Sequence, residues 1–360
     1  MPDELAANWE CQCRESPDPS RPDLEAWPDA EPLPGAGIGI IGTGSCLPDN
    51  VVSNEEVATR AGVDGAWIRR KTGIGSRRWA QSWEATSDLA VVAGRAALEQ
   101  AGIPATALSM VVVATSTPDS PQPPTASTVA GRLGTTPAAA AFDLNAVCSG
   151  FVFALAVAQR SLLASGGYAL VVGADIYSRI LDPTDRRTAI LFGDGAGAVV
   201  LGPVPAGGVL ATRLLTFGST ADLIRVPAGG SRLPTSPQTI DGGLHYFAMD
   251  GRAVREFVVA QVPPAVNAFL LDSGVAGAEV SHLVPHQANV HMLADLERQL
   301  NLPAARMHTT VGEYGNTGAA SVPITLDMAA RSGAIRSDDV VLLAGFGGGM
   351  AAGLALLRWW

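Results

Sequence analysis

The sequence predicts a layered α/β protein built from two related halves, and two observations carry that prediction. From Gly37 onward, short β-branched runs alternate with longer amphipathic runs, the pattern of strands followed by covering helices. The same order of elements then returns: Ala97-Leu-Glu-Gln-Ala-Gly102 stands as far ahead of a strand at Val111 as Phe269-Leu-Leu-Asp-Ser-Gly274 stands ahead of Leu283. A repeat this long exceeds any solenoid period and implies a duplicated domain.

Residues 1–35 are rich in Pro, Asp and Glu, with Trp9 and Trp27 as isolated apolar residues, so they cannot form a core and read as a disordered acidic extension. Strands follow at Ile38-Gly-Ile-Ile, Met110-Val-Val-Val-Ala, Ala169-Leu-Val-Val-Gly and Val340-Val-Leu-Leu-Ala. Helices are predicted over 87–101, where a Ser opens an apolar-periodic run, and over 252–271. Cys148 precedes a helix, a turn at Gly166 and a Val-rich strand; Asn316 precedes a helix, a turn at Gly333 and another such strand. Gly193-Asp-Gly-Ala-Gly-Ala-Val-Val-Leu and Gly347-Gly-Gly-Met-Ala-Ala-Gly-Leu then make matching terminal strands, which divides the chain into halves at 36–205 and 206–360.

A chain of 360 residues that is 47% hydrophobic can bury a large core. Its apolar stretches, such as 168–174, read as far short of the ~20 residues that span a bilayer, and no basic segment leads into an apolar one at the start. These features place the protein in the cytosol, without a membrane. The net charge of −10 argues against nonspecific nucleic-acid binding. Cys11, Cys13, Cys46 and Cys148 include no Cys-x-x-Cys pair and do not cluster with His at zinc spacing, so neither a disulfide framework nor a metal site is expected. Arg69, Arg70, Lys71, Arg77 and Arg78 form one dense cationic cluster on an acidic background.

Three turns carry chemistry. Asp-Leu-Asn-Ala-Val-Cys148-Ser-Gly-Phe places a thiol at a helix start, where unpaired N–H groups and the helix dipole favour the thiolate. Pro285-His286-Gln-Ala-Asn sets an imidazole at a strand end, and Tyr-Gly-Asn316-Thr-Gly-Ala-Ala-Ser sets a carboxamide before a helix. A nucleophile that can hold an acyl group, together with two neutral donors that can hold an enolate or oxyanion, suits acyl transfer between thioesters. Phe346-Gly-Gly-Gly349 ends a strand without side-chain obstruction; no Lys or Ser/Thr follows, so it is not a phosphate loop.

These stretches, with Trp67-Ile-Arg-Arg-Lys-Thr-Gly-Ile, Asp182-Pro-Thr-Asp-Arg186 and Phe192-Gly-Asp-Gly-Ala-Gly, resemble the β-ketoacyl-acyl-carrier-protein synthase III family from about Gly37 to the C-terminus. The resemblance implies a thiolase-like five-layered α/β/α/β/α fold from two duplicated halves. It implies Cys148, His286 and Asn316 as catalytic residues, with the N–H groups of Cys148 and Gly348 as the oxyanion hole. Trp67, Lys71, Arg186, Gly251 and Asn289 would bind coenzyme A and its pantetheine arm, and Gln122, Phe192 and Met249 would line the acyl pocket. Lys71 stands where many members carry an Arg against the adenine, and His291 where many use an Arg to dock the carrier protein.

The implied reaction is a decarboxylative condensation of an acyl-CoA starter with malonyl-acyl carrier protein, in fatty-acid or polyketide synthesis. No cofactor is implied. Acyl-CoA, acyl carrier protein and a second copy of the chain would be its partners, the loop 118–124 lying near that copy. The closest rival is a relative that moves the acyl group to an alcohol or amine. Thiolase chemistry lacks its second cysteine in Gly345-Phe-Gly-Gly-Gly, a papain-type hydrolase lacks these motifs, and a silent scaffold has no use for all three reactive residues.

Overall fold

The structure, a computed structural model, describes residues 37–360; the extension expected over 1–35, with Cys11 and Cys13, lies outside the described residues. Ten strands make two five-stranded sheets. The first holds β1 (Gly37–Cys46), β2 (Leu108–Ala114), β3 (Ala140–Leu144), β4 (Tyr168–Ile176) and β5 (Asp194–Val204). The second holds β6 (Gly208–Thr216), β7 (His282–Pro285), β8 (Arg306–Met307), β9 (Val340–Gly347) and β10 (Ala351–Arg358).

The spatial order is β3-β2-β4-β5-β1 in one sheet and β8-β7-β9-β10-β6 in the other, the same permutation twice. Pairing direction matches as well. The inner pairs β2/β3 and β2/β4 are parallel while β4/β5 and β5/β1 are antiparallel, and β7/β8, β7/β9, β9/β10 and β10/β6 repeat that pattern. The duplication read from spacing is therefore a duplication of topology.

The major helices repeat too. α1 (Thr86–Ala101), α2 (Thr125–Leu133) and α3 (Gly150–Ser165) serve the first sheet; α4 (Gly251–Asp272), α5 (Val290–Gln299) and α6 (Ser321–Arg331) serve the second. Burial sorts them into layers. Residues of α1 and α2 pack on one face of the first sheet, and those of α4 and α5 on one face of the second. Residues of α3 and α6 share a core with both sheets, which makes five layers. Helix ends follow local rules: Asp250 accepts from the N–H groups of Arg252 and Ala253, and Gly102 closes α1 at φ 68°, a conformation costly for other residues.

Residues 147–165 are apolar and long enough to cross a bilayer, contrary to the expectation that no stretch was. In the fold this segment includes α3, whose Phe151, Val152, Leu155 and Leu162 are buried between the sheets. A helix covered on two sides is apolar nearly all round, which is why its sequence alone resembles a membrane span.

Candidate active site

Each of the three turns follows the C-terminal end of a strand and leads into a helix. Cys148 lies between β3 and α3, and Asn316 between β8 and α6, so the repeat gives them equivalent places. His286 follows β7, its N–H bonded to the Ala344 carbonyl of β9 at 2.7 Å. The bend before Cys148 is strained: Val147 adopts φ 48°, unusual for a β-branched residue. Its N–H is held by the Asn145 side chain at 3.1 Å.

Strand β9 ends against this bend. A Cβ added to Gly347 would lie 2.6 Å from the Cys148 Cβ and 3.0 Å from its Sγ, and one on Gly345 would lie 3.0 Å from the Ser149 Cα. Glycine is therefore required for the two chain segments to touch. The N–H groups of Gly348 and Cys148 face the sulfur and favour its thiolate.

Cys148 is buried, and burial pushes its thiol up to about 12, with the nearby Asp175 charge adding to the effect; Tyr177 and the two N–H groups pull the other way. The helix start was expected to favour the thiolate. In this enclosed site, loss of solvent outweighs it.

Asp175, near the end of β4, is fully buried, with no cationic partner among the described residues. Its Oδ1 accepts from the Thr115 and Thr117 hydroxyls at 3.1 Å and the Ser116 N–H at 2.8 Å, and its Oδ2 accepts from the Ala319 N–H at 2.7 Å. Burial raises its pKa against those bonds. The carboxylate thus ties the Asn316 turn to the first half of the chain.

His286 is 3% exposed, its Nδ1 is 2.8 Å from the Ser321 Oγ at the start of α6, and its ring stands edge-on to Phe346 at 5.4 Å. Burial pushes its pKa down to about 3, opposed by a hydrogen bond to the Gly318 backbone, so the imidazole is neutral at physiological pH. The Asn316 Oδ1 accepts the Gly318 N–H at 2.9 Å, which leaves the amide NH₂ as the group this residue can offer a substrate.

Phe192 is buried, stacked on Tyr177 at 4.5 Å, and both meet Phe247 edge-on; Met249 packs against that cluster. Trp67 is half-buried against a cluster that includes Ile190, four residues beyond the exposed Arg186, while Lys71 is also exposed. Gly251 opens α4, and the Asn289 Oδ1 caps α5 through the Met292 N–H at 2.9 Å. Gln122 is exposed in the isolated chain. His291 bonds the Arg70 carbonyl at 2.9 Å.

One member of the cationic cluster does not face solvent. Arg77 is 0% exposed, donating to Asn54 Oδ1 at 2.8 Å and the Ile190 carbonyl at 2.9 Å, its Nε without a partner among the described residues. Burial brings its pKa down to about 10. Its role in this structure is to brace the segment after Arg186. Sequence reasoning also missed Asp175, Tyr177, Ser116 and Ser321; a lone carboxylate closing the apolar run Ala169-Leu-Val-Val-Gly-Ala-Asp175 was the available signal. A polar cavity of about 600 Å³ lined by Arg306, His308 and Thr310 lies apart from Cys148. Among the described residues no His, Cys, Asp and Glu group could hold a metal.

The model for 3-oxoacyl-[acyl-carrier-protein (ACP)] synthase III matches residues 142–218, and that for its C-terminal part matches 270–359. Acetoacetyl CoA synthase NphT7 of a Streptomyces species is 59% identical over 323 residues, 89% of this chain and 98% of that protein. β-Ketoacyl-[acyl-carrier-protein] synthase III 3 of Streptomyces coelicolor is 44% identical, over 89% of this chain and 96% of its own. Among solved structures, the priming β-ketosynthase of the R1128 polyketide pathway superposes with a TM-score of 0.83 at 33% identity, covering 90% of this chain and 97% of that one.

Proposed function

Since the chain belongs to the 3-oxoacyl-[acyl-carrier-protein] synthase III family of thiolase-fold condensing enzymes, we propose that Cys148, His286 and Asn316 divide a decarboxylative condensation between them. The observation that carries this reading is the meeting of the Cys148 bend with the glycine end of β9, beside a neutral His286 and an Asn316 whose NH₂ is available.

The Cys148 sulfur attacks the carbonyl of an acyl-CoA. Two N–H groups, of Cys148 and Gly348, hold the tetrahedral oxyanion, and the coenzyme leaves as its thiol carrying the proton that Cys148 gave up. A malonyl thioester then loses carbon dioxide, the electron pair of the broken bond becoming an enolate. Ser321 donates to the His286 Nδ1, which keeps a proton on Nε2; that N–H and the Asn316 NH₂ bond the enolate oxygen. The enolate carbon attacks the acyl-cysteine, a carbon–carbon bond forms, and the Cys148 sulfur departs.

Trp67, Lys71 and Arg186 receive the nucleotide end of coenzyme A, Gly251 and Asn289 flank its pantetheine arm, and Gln122, Phe192 and Met249 surround the acyl group. The packed ring cluster of Tyr177, Phe192 and Phe247 favours a short acyl chain. The enzyme works in the cytosol without a cofactor.

A specific observation favours coenzyme A as carrier of the malonyl group as well. The relative at 59% identity is named for acetoacetyl CoA, and His291, where many members use an Arg to dock the carrier protein, is engaged with the Arg70 carbonyl. The test supplies acetyl-CoA with either malonyl-CoA or malonyl-acyl carrier protein and follows carbon dioxide and product mass. Product from malonyl-CoA supports this second reading, and product from the carrier protein alone overturns it. Acyl loading with no carbon dioxide from either would make the enzyme a non-condensing acyltransferase.

A further inference from the structure

The inner face of the second sheet changes character at its edge. Toward the middle, Val284 of β7 and Val341 and Leu343 of β9 belong to the apolar core shared with α6. Strand side chains alternate between faces, and the paired register puts Asp339, His282, Arg306 and His308 on that same face. They are polar where the neighbouring layer is apolar. His282 Nε2 lies 3.0 Å from the Asp339 Oδ2, and His282 Nδ1 lies 3.0 Å from the His308 Nε2, although the two rings are only 7% and 8% exposed.

This chain of groups ends at the polar cavity of about 600 Å³, which α6 closes with Thr325 and Ala329. Arg69 reaches the same cavity from the short helix Gly65–Thr72, and two residues turn a helix by about 200°, so it stands away from Trp67 and Lys71. A Cβ added to Gly75 would lie 3.6 Å from the Arg69 Nη1 and 3.3 Å from the Gly312 carbonyl, which sets the guanidinium beside the segment after His308. Arg69 and Arg306 are exposed, and neither has an ion pair among the described residues. Glu313 is the only carboxylate among the described residues that line the cavity, so two positive charges meet one negative.

We propose that this cavity is a binding site for a phosphate group, free or carried on a small metabolite, held by Arg69 and Arg306 and donating a P–OH to the His308 Nδ1. A count of protons assigns the last contact. The Asp339 Oδ2 accepts from the Arg336 N–H at 2.7 Å and from His282 Nε2, which leaves a neutral His282 only a lone pair on Nδ1. His308 must then donate from Nε2 and keep its own lone pair on Nδ1, a nitrogen with no hydrogen bond among the described residues. Burial first, then His282 and Arg306, bring the His308 pKa down to about 4, so the ring is neutral at pH 7. Tyr314 also lines the cavity, and burial with the Glu313 charge raises its phenol, which stays protonated. At pH 7 a phosphate group averages about −1.5 to −2 charges, so part of it keeps a proton to donate. Sulfate has none. The volume lies within the range of about 300–1,000 Å³ for small-molecule sites, more than a bare ion fills.

Titration calorimetry on the full chain at pH 7 and fixed ionic strength supplies inorganic phosphate, glycerol 3-phosphate or sulfate. Both phosphates should bind, with sulfate about tenfold weaker for want of one hydrogen bond. A charge-assisted hydrogen bond is worth about tenfold or more in affinity, so Arg69→Ala and Arg306→Ala should each weaken phosphate binding by about that factor. His308→Phe should bring phosphate down to the level of sulfate. Acyl loading on Cys148 should stay at the wild-type rate in both arginine variants, and they carry the test if His308→Phe misfolds. Tighter glycerol 3-phosphate would identify a carried phosphate as the ligand, and tighter inorganic phosphate a free one. Absence of binding by either phosphate, equal binding of sulfate, or a loss in Arg186→Ala that the two arginine variants do not share would overturn the proposal.

Discussion

Phe192 and Asn316 form a single parallel β-bridge between the halves of the chain: the Asn316 N–H donates to the Leu191 carbonyl at 2.9 Å and the Gly193 N–H to the Asn316 carbonyl at 3.0 Å. Phe192 in turn stacks on Tyr177 at 4.5 Å. Both backbone groups of Asn316 are therefore committed to residues 191–193 of the first half, and its side-chain oxygen to Gly318. Supports of this kind hold a carboxamide in one place before substrate arrives, which electrostatic catalysis needs.

Replacing Cys148 by Ala should abolish acyl-enzyme formation, while Cys46→Ala leaves it intact. Cys46 is half-buried, and its thiol is pushed up to about 11 by burial and then by Glu84 and Asp49. Intact-mass measurement after incubation with acetyl-CoA checks this. An adduct persisting on the Cys148→Ala protein would remove the assignment.

The three reactive turns were legible because each is local: a few residues, glycine or proline on either side, and a helix to follow. Even the equivalence of Cys148 and Asn316 could be read from spacing, since the order of elements repeats along the chain. What surrounds them was not legible. Asp175 meets Ala319 across 144 positions of sequence, and Tyr177 reads as one more aromatic after a strand. The basic run misled at Arg77, because charge in sequence says nothing about which way a residue faces on a strand of three. The thiol was misjudged for a related reason: the helix start is visible in sequence, but the burial that outweighs it is a property of the packed layers.

His286 makes stability depend on acid in a definite direction. Its folded pKa of about 3 lies below the ordinary 6.5, so the unfolded chain binds the extra proton, and the contribution of the neutral ring is full above about pH 6.5 and lost as pH falls toward 3. Between pH 7 and pH 5 this costs about 2 kcal/mol. Asp194, raised to about 6 by burial, works the opposite way in part of that range, so the comparison must be between proteins. Urea unfolding of wild type and His286→Asn at the two pH values should show that the variant loses about 2 kcal/mol less; parallel losses would mean the ring is not buried neutral.

Among the described residues strand β3 is paired on one side only, and its Phe142 and Leu144 are half-buried at that edge of the first sheet. An unpaired edge with apolar side chains is a template for a second copy. We expect a homodimer joined along β3, with the loop 118–124 beside the partner. Light scattering at micromolar concentration should give twice the chain mass, and Phe142→Glu should shift it toward monomer. A wild-type monomer at that concentration removes the expectation.

Asn316 separates condensation from simple acyl transfer. If its NH₂ and His286 together hold the enolate, deleting that donor removes one hydrogen bond from the decarboxylation transition state, a loss of roughly 2.7–4 kcal/mol or ~100- to 1000-fold in rate. Asn316→Ala removes that donor together with the oxygen that accepts the Gly318 N–H. Acylation should fall far less, since the N–H groups of Cys148 and Gly348 that face the sulfur belong to other segments. Acyl loading on Cys148 and carbon dioxide release from malonyl thioester are to be measured in parallel. Equal loss in both assays would mean that Asn316 supports the fold through its bridge to Phe192 and has no share in holding the enolate.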